Sequence, residues 1–256
     1  MGYAGPMRLR HLLLPLLLLC VLAPGLARAQ AQQDGLLAYQ ALAAGDFALA
    51  EFYASRALAA GGLRPPDQAA VLSYRGDARR RMGRFDEAAA DYAEAIEIGL
   101  PTEFAARVLN NRGIALFGLQ RFEEAIRAYE GALALSPAFV EAMDNLGATW
   151  LRVGDARAAL EAFNDAVRLD PENARARNNR GRAYLDLEFY DEALADFTAA
   201  LDLGTPSPAT PLFNRGIAHE RLGDRAAAAA DFAAAQQLRP DEPTYQEKFR
   251  EYGLVP

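Results

Sequence analysis

The chain has 256 residues, of which 52% are hydrophobic and 24% are charged, and this balance excludes both a polytopic membrane protein and a disordered chain. Fifty-five residues are alanine, the best helix former, so a β-rich protein is excluded as well. The net charge of −7 excludes a general affinity for nucleic acid.

The first 29 residues have the three-part layout of a secretory signal peptide. A short basic region precedes an apolar run at 12–22, and small residues up to Ala29 suit cleavage before Gln30. A retained membrane anchor is the alternative, but the run is shorter than the roughly 20 residues that span a bilayer. We therefore predict a signal peptide at 1–29 and an exported, periplasmic mature chain without an integral membrane span.

Five later segments share one pattern of small and aromatic residues. Each has a glycine, an alanine twelve residues later, an aromatic residue four after that, and another alanine three further on. From 85 to 96 the apolar residues also follow the spacing of one face of an amphipathic helix. The glycines are Gly76, Gly113, Gly147, Gly181 and Gly216, and the aromatics are Tyr92, Tyr129, Phe163, Phe197 and Phe232.

This pattern resembles the tetratricopeptide repeat, a unit of two helices, A and B, with a glycine in helix A and Ala-x-x-x-Phe in helix B. The resemblance implies an all-α fold, a right-handed superhelical solenoid of antiparallel helix pairs. We predict a degenerate repeat at 34–62, five repeats at 69–240, and a C-terminal cap helix and tail at 241–256. The Asn-Arg-Gly string at 111–113 resembles, in part, exported bacterial proteins of the NlpI type.

The turns between the A and B helices have their own signature. Gly154 and Gly223 suit the left-handed conformation that ends a helix, and Asp155 and Asp224 after them can cap helix B. In two other repeats Gln120 and Glu188 replace this glycine, so we expect those turns to be stiffer or differently shaped.

Arginine precedes the repeat glycine in four repeats, where the family pattern has leucine. In three of them, an aspartate precedes the aromatic residue of helix B, whereas the repeat that keeps Leu146 has Ala162 there and Arg112 faces Ala128. Because an arginine is seldom buried unpaired, we predict ion pairs between the A and B helices. These pairs are Arg75–Asp91, Arg180–Asp196 and Arg215–Asp231.

The A helices carry net positive charge and the B helices net negative charge. The resemblance implies that a groove lined by A helices binds a ligand, and arginine with asparagine suits carboxylates and peptide amides. An ordinary solvated helix face is the alternative. The predicted groove residues are Arg80, Arg81, Arg107, Asn110, Asn111, Asn145, Arg152, Arg175, Asn178, Asn179, Arg182, Asn214 and Arg221.

This groove departs from the carboxylate clamp of chaperone-binding relatives. Asn110 and Ile114 stand where the clamp has a lysine and an asparagine, and Asn179 replaces an arginine. A chaperone-tail adaptor is therefore disfavoured.

Few residues are available for catalysis. Cleavage would remove Cys20 and His11, leaving a mature chain with His219 alone and no cysteine. We therefore predict no enzyme activity, no metal and no cofactor.

The expected function is a protein–protein interaction adaptor of the bacterial cell envelope that binds a protein or peptide partner. A peptidoglycan or anionic glycan binding module is one alternative, and a structural oligomerising scaffold is another.

Overall fold

The computed structural model describes the backbone of residues 13–254 and the side chains of residues 25–254. Within that range the secondary structure consists of thirteen α-helices, without a β-strand. The chain divides into two compact units, Met1–Leu119 and Gln120–Pro256, called unit 1 and unit 2 below. The predicted all-α fold of helix pairs is confirmed within each unit.

Unit 1 contains five of these helices. Consecutive helices pack against each other, and α3 also contacts both α1 and α5. The bounds are α1 (Leu13–Ala43), α2 (Phe47–Ala60), α3 (Pro65–Arg81), α4 (Phe85–Ile98) and α5 (Thr102–Gly118).

Unit 2 contains the other eight helices. Three pairs, α7 with α8, α9 with α10 and α11 with α12, follow helix α6, and α9 also contacts both α7 and α11. The bounds are α6 (Phe122–Leu135), α7 (Val140–Val153), α8 (Ala156–Leu169), α9 (Ala174–Asp186), α10 (Tyr190–Asp202), α11 (Ala209–Arg221), α12 (Arg225–Leu238) and α13 (Pro243–Glu251).

The predicted signal peptide lies partly outside the described residues. Helix α1 is described from Leu13 onward, so its backbone runs through the predicted cleavage position between Ala29 and Gln30. After that position Ala31 and Asp34 are fully buried. The Asp34 carboxylate accepts hydrogen bonds from Gln30 at 3.0 Å and from Arg56 of α2 at 2.7 Å. The boundary at 29 stays a prediction, as do the other domain boundaries.

The turns between paired helices follow the sequence closely. Asp155 and Asp224 accept hydrogen bonds from the backbone N–H of Ala158 and Ala227, so both predicted caps are confirmed. The expectation of differently shaped turns at the two substituted positions was wrong. Gln120 and Glu188 have φ of 60° and 64°, in the left-handed region that glycine occupies elsewhere.

The reason for this shared turn is a shared hydrogen bond. The N–H of Phe189, after Glu188, donates to the Tyr184 carbonyl at 2.9 Å. The N–H of Asp224, after Gly223, donates to the His219 carbonyl at the same distance. Closing this bond requires a positive φ whichever residue is present, so Glu188 bears a steric cost of about 1–2 kcal/mol that glycine avoids.

The small residues of the repeat pattern mark the places where A and B helices meet. The repeated alanines of helix B, such as Ala193 and Ala200, are fully buried, and so is the aromatic Phe197 between them. A Cβ added at Gly181 of α9 would lie 2.7 Å from the Phe197 ring. The glycine therefore provides the space that the ring of the paired helix occupies.

Helix α13 is the predicted cap helix. Tyr245 is buried and stacks on Phe213 at a centroid distance of 4.5 Å, while Tyr252 meets the Phe232 ring edge-on at 5.1 Å. Lys248 donates to the Glu220 carboxylate at 3.0 Å. These contacts cover apolar surface of the helix pair α11 and α12.

Candidate functional site

In three repeats the arginine before the repeat glycine is a structural residue. The guanidinium of Arg180 donates two hydrogen bonds to Asp196 at 2.7 and 2.8 Å, and Arg215 binds Asp231 in the same bidentate way at 2.8 Å. In unit 1, Arg75 binds Asp91 at 2.6 Å. All three predicted ion pairs are confirmed, and their buried aspartates keep these arginines away from any ligand.

Arg112 is the exception that the sequence indicated. Among the described residues no carboxylate forms an ion pair with it. Leu146 and Ala162 replace the ion pair in another repeat, and Leu146 is buried there.

Several predicted groove arginines also have partners inside their unit. Arg80 of α3 lies 3.4 Å from the Tyr92 hydroxyl and 4.0 Å from the Asp77 carboxylate. Arg175 of α9 forms an ion pair with buried Asp144 of α7. These contacts reduce the charge that either arginine can offer to a ligand.

The remaining predicted arginines are exposed. Arg107 stacks its guanidinium over the Phe104 ring at 5.2 Å, and Arg152 lies 5.9 Å from the Phe122 ring. No carboxylate of the described chain pairs with Arg81, Arg182 or Arg221, so these three can meet a ligand. The structure thus separates the seven predicted arginines into two groups. Arg80 and Arg175 lie beside a carboxylate of their own unit, and the exposed arginines without such a carboxylate are called available below.

Two asparagines bond neighbouring A helices. Asn111 of α5 donates to Asp77 of α3 at 2.9 Å, and Asn179 of α9 donates to Asp144 of α7 at 2.8 Å. The two acceptors stand at different repeat positions, since Asp77 follows its repeat glycine by one residue and Asp144 precedes its own by three. We call this contact the inter-repeat bond.

Asn110 and Asn145 contribute differently. Asn110 of α5 is 1% exposed, so its side chain is buried, and its role in ligand binding stays a prediction. Asn145 lies on α7, half-buried, where its backbone carbonyl accepts a hydrogen bond from the Thr149 hydroxyl at 2.7 Å.

The inter-repeat bond is missing one repeat further on. Asn178 and Asn214 occupy the positions that Asp144 and Asn179 occupy in the previous repeats. The Oδ1 of Asn178 and the Nδ2 of Asn214 are both buried and have no hydrogen-bond partner in the described chain. An unpaired acceptor and an unpaired donor therefore lie on adjacent A helices, α9 and α11. Leaving such groups unpaired costs about 1–3 kcal/mol each.

A cavity of about 360 Å³ opens beside Asn214. Its lining includes the available arginines Arg182 and Arg221 together with the Asp186 carboxylate. Desolvation raises the pKa of Asp186, against the opposing charge of Arg182. The other lining residues are Leu185, Glu188, Tyr190 and Ile217. This cavity, with Asn178, is called the α9–α11 site below.

The structure thus brings Arg182, Asn214 and Arg221 of the predicted set together, and places Asn178 on the same helix as Arg182. In unit 1, Arg107 and Asn111 share a second, smaller cavity. Sequence reasoning missed the pairing of Asn111 with Asp77, because the two residues stand at different positions of their repeats and the repeat pattern does not align them.

Membrane-spanning helices and metal sites are both absent from the described residues. No helix there is both long and apolar enough to cross a membrane. No group of three or more His, Cys, Asp or Glu side chains in that part of the chain could hold a metal ion.

Relatives of known sequence are repeat proteins. Two profiles described as tetratricopeptide repeat match residues 67–138 and residues 145–187 and 178–243. A curated relative, the Hsp70-Hsp90 organizing protein of Triticum aestivum, is 33% identical over 85 residues. That match covers 33% of this chain and 14% of the relative, so the chain spans about a seventh of that protein.

Solved structures agree on the fold. A Pseudomonas aeruginosa pilF structure has a TM-score of 0.69 at 23% identity, covering 89% of this chain and 99% of that one. YrrB, titled a TPR protein with an unusual peptide-binding site, has a TM-score of 0.59 at 21% identity, covering 71% and 92%. MamA from Desulfovibrio magneticus RS-1 has a TM-score of 0.62 at 24% identity, covering 70% and 99%. The repeat pattern, the profiles and these structures together show that the chain belongs to the tetratricopeptide-repeat family.

Proposed function

We propose that this chain is a non-catalytic adaptor that binds an extended segment of a partner protein at the α9–α11 site. Tetratricopeptide-repeat proteins mediate protein–protein interaction, and the proposal names the place and the chemistry. One observation carries it: the buried Asn178 acceptor and Asn214 donor are unpaired, whereas the residues at the same positions of α7 and α9, Asp144 and Asn179, are hydrogen-bonded.

A polypeptide backbone matches this pair of groups. Each peptide unit carries one N–H donor and one C=O acceptor, so an extended segment can satisfy Asn178 and Asn214 together. The gain in binding free energy is large because the buried groups of Asn178 and Asn214 have already lost their contact with water in the free protein.

The arginines add a preference for acidic partners. Arg182 and Arg221 have no ion pair within the described chain and line the same cavity. An arginine fork binds a carboxylate with two parallel hydrogen bonds. Asp186 and Glu188 lie in the lining as well, so the preferred segment has a carboxylate near the arginines and few acids elsewhere.

The test uses short random peptides displayed on phage and selected on the immobilised full-length chain. Selected peptides are then titrated by fluorescence anisotropy against Asn214→Leu, Arg182→Ala and the exposed helix-B control Arg168→Ala. We expect Asn214→Leu to weaken binding about tenfold, the value of one hydrogen bond. Its melting temperature should not fall, because Nδ2 has no partner in the free protein to lose.

Arg182→Ala should also weaken binding and flatten its salt dependence, since a charge pair is screened by added salt. Arg168→Ala should leave both the affinity and its salt dependence unchanged. Equal affinity of all variants for the selected peptides, or binding that ignores ionic strength, would contradict the proposal.

We also propose that the chain is exported and that its partner is a cell-envelope protein. Support comes from the composition of residues 1–29, which combine a basic start, an apolar run and small residues before Gln30. N-terminal sequencing of the protein from the envelope fraction should begin at Gln30. A mature protein that retains residues 1–29 would refute cleavage, and one that stays with the cytoplasmic fraction would refute export.

A further inference from the structure

Unit 1 contains an apolar cavity separate from the α9–α11 site. Its volume is about 180 Å³, and its walls include the rings of Tyr74 and Phe104 and the aliphatic side chains of Leu100, Pro101 and Val108. An apolar cavity of about 150 Å³ holds a benzene molecule, so this one has room for one aromatic ring.

The cavity opens to solvent on an aromatic edge. Phe104 is 49% exposed although it lines the cavity, and Tyr39, 52% exposed, meets Tyr74 at a centroid distance of 5.5 Å. Large apolar side chains that stay this exposed beside a concave surface mark a place where a partner can bury area.

One unpaired positive charge lies at this edge. Arg107 is exposed, lines the cavity, stacks on Phe104 and has no carboxylate partner among the described residues.

The neighbouring carboxylate does not cancel this charge. Asp77 also lines the cavity, but it accepts hydrogen bonds from the Tyr92 hydroxyl at 2.6 Å and from Asn111 at 2.9 Å, with Arg80 4.0 Å away. The Asp77 Oδ1 is therefore hydrogen-bonded within unit 1, and Arg80 offsets the charge of the carboxylate. The cavity offers a ligand an apolar space with a single available cation at its edge.

We propose that this cavity binds an aromatic side chain of a partner protein that has an acidic residue next to it. The ring fills the space between Tyr74 and Phe104, and the adjacent carboxylate pairs with Arg107. Charge complementarity at Arg107 selects this occupant over an uncharged apolar segment. The site lies in unit 1 and stands independently of the α9–α11 site.

The experiment uses capped hexapeptides of sequence Gly-Gly-Phe-Asp-Gly-Gly with a 4-fluorophenylalanine ring, titrated with the full-length chain and followed by ¹⁹F NMR. Comparison peptides replace Asp by Lys, or Phe by Ala with a fluorine label on the N-terminal cap. We expect the Phe-Asp peptide to bind at least fivefold more tightly than either of them. Equal binding of all three would overturn the proposal.

Variants locate the binding. Phe104→Ala should weaken the Phe-Asp peptide at least fivefold, and Arg107→Glu should reverse the preference so that the Phe-Lys peptide binds more tightly. Asn214→Leu, in unit 2, is the matched control and should leave this peptide unaffected. Arg107 is exposed and makes no buried ion pair, so folding of the charge-reversed variant is expected. An Arg107→Glu variant that keeps the Phe-Asp preference would overturn the proposal.

A second copy of the chain is the other possible occupant, and sedimentation distinguishes it. If wild type is a dimer that Phe104→Ala converts to a monomer, then the cavity belongs to a self-association surface and the proposal of a partner's aromatic–acidic pair is overturned. If wild type and Phe104→Ala have the same oligomeric state, the result supports the proposal.

Discussion

Arg215→Ala should destabilise the protein by about 3 kcal/mol, the cost of leaving a buried carboxylate without its partner. Asp231 is buried and receives two hydrogen bonds from Arg215 at 2.8 Å. Its other neighbour, the His219 imidazole, lies 4.0 Å away, so little compensates for the lost guanidinium. Urea unfolding followed by circular dichroism at 222 nm measures the change.

The chain itself provides the rescue. Because Leu146 and Ala162 replace the ion pair in another repeat, the double variant Arg215→Leu/Asp231→Ala should recover to within about 1 kcal/mol of wild type. Arg182→Ala, at an exposed position on the same type of helix, should change stability by less than about 0.5 kcal/mol. An equal loss for Arg215→Ala and Arg182→Ala would show that the ion-pair arginines are not structural.

Gly181→Val should cost about 3 kcal/mol, because a side chain at this position overlaps the Phe197 ring. A Cβ there would already lie 2.7 Å from the ring, and Phe197 is fully buried between α9 and α10 with no space to withdraw into. The gain in helix propensity over glycine, a few tenths of a kcal/mol, is much smaller. Thermal and urea unfolding of the variant report the loss.

Two further variants separate the overlap from a general effect of valine. Ala195→Val on the exposed side of α10 should cost less than about 1 kcal/mol. Combining Gly181→Val with Phe197→Leu should cost less than the sum of the single changes, since the smaller side chain relieves the overlap. Strict additivity of the two changes would refute the close contact between glycine and ring.

The recurrent parts of the fold were predictable because they depend on contacts inside one helix pair. Small residues and an aromatic ring at fixed offsets determine how helix A packs against helix B. The Arg–Asp pairs were predictable because arginine and aspartate vary together among the repeats, as the repeat with Leu146 and Ala162 shows. The turn at Glu188 was mispredicted since its hydrogen bond, and not the residue type, sets φ.

The candidate site was harder to predict because its residues depend on neighbouring repeats. Arg175 reads as a free groove residue until Asp144 of the preceding A helix is placed beside it. The same holds for Asn111 and Asp77. The repeat pattern did not predict the unit 1 cavity, because Phe104 lies in the first turn of α5, where the other repeats have no aromatic residue at the same position.

The missing inter-repeat bond makes the joints within unit 2 unequal. In a linear array each repeat is held by its own helix pair and by the interface with its neighbour. The bond between Asn179 and Asp144 fastens α9 to α7, whereas α11 is joined to α9 without its counterpart. The joint between α9 and α11 therefore lacks one hydrogen bond that the joint between α7 and α9 has, and an occupant that completes the bond would stiffen it.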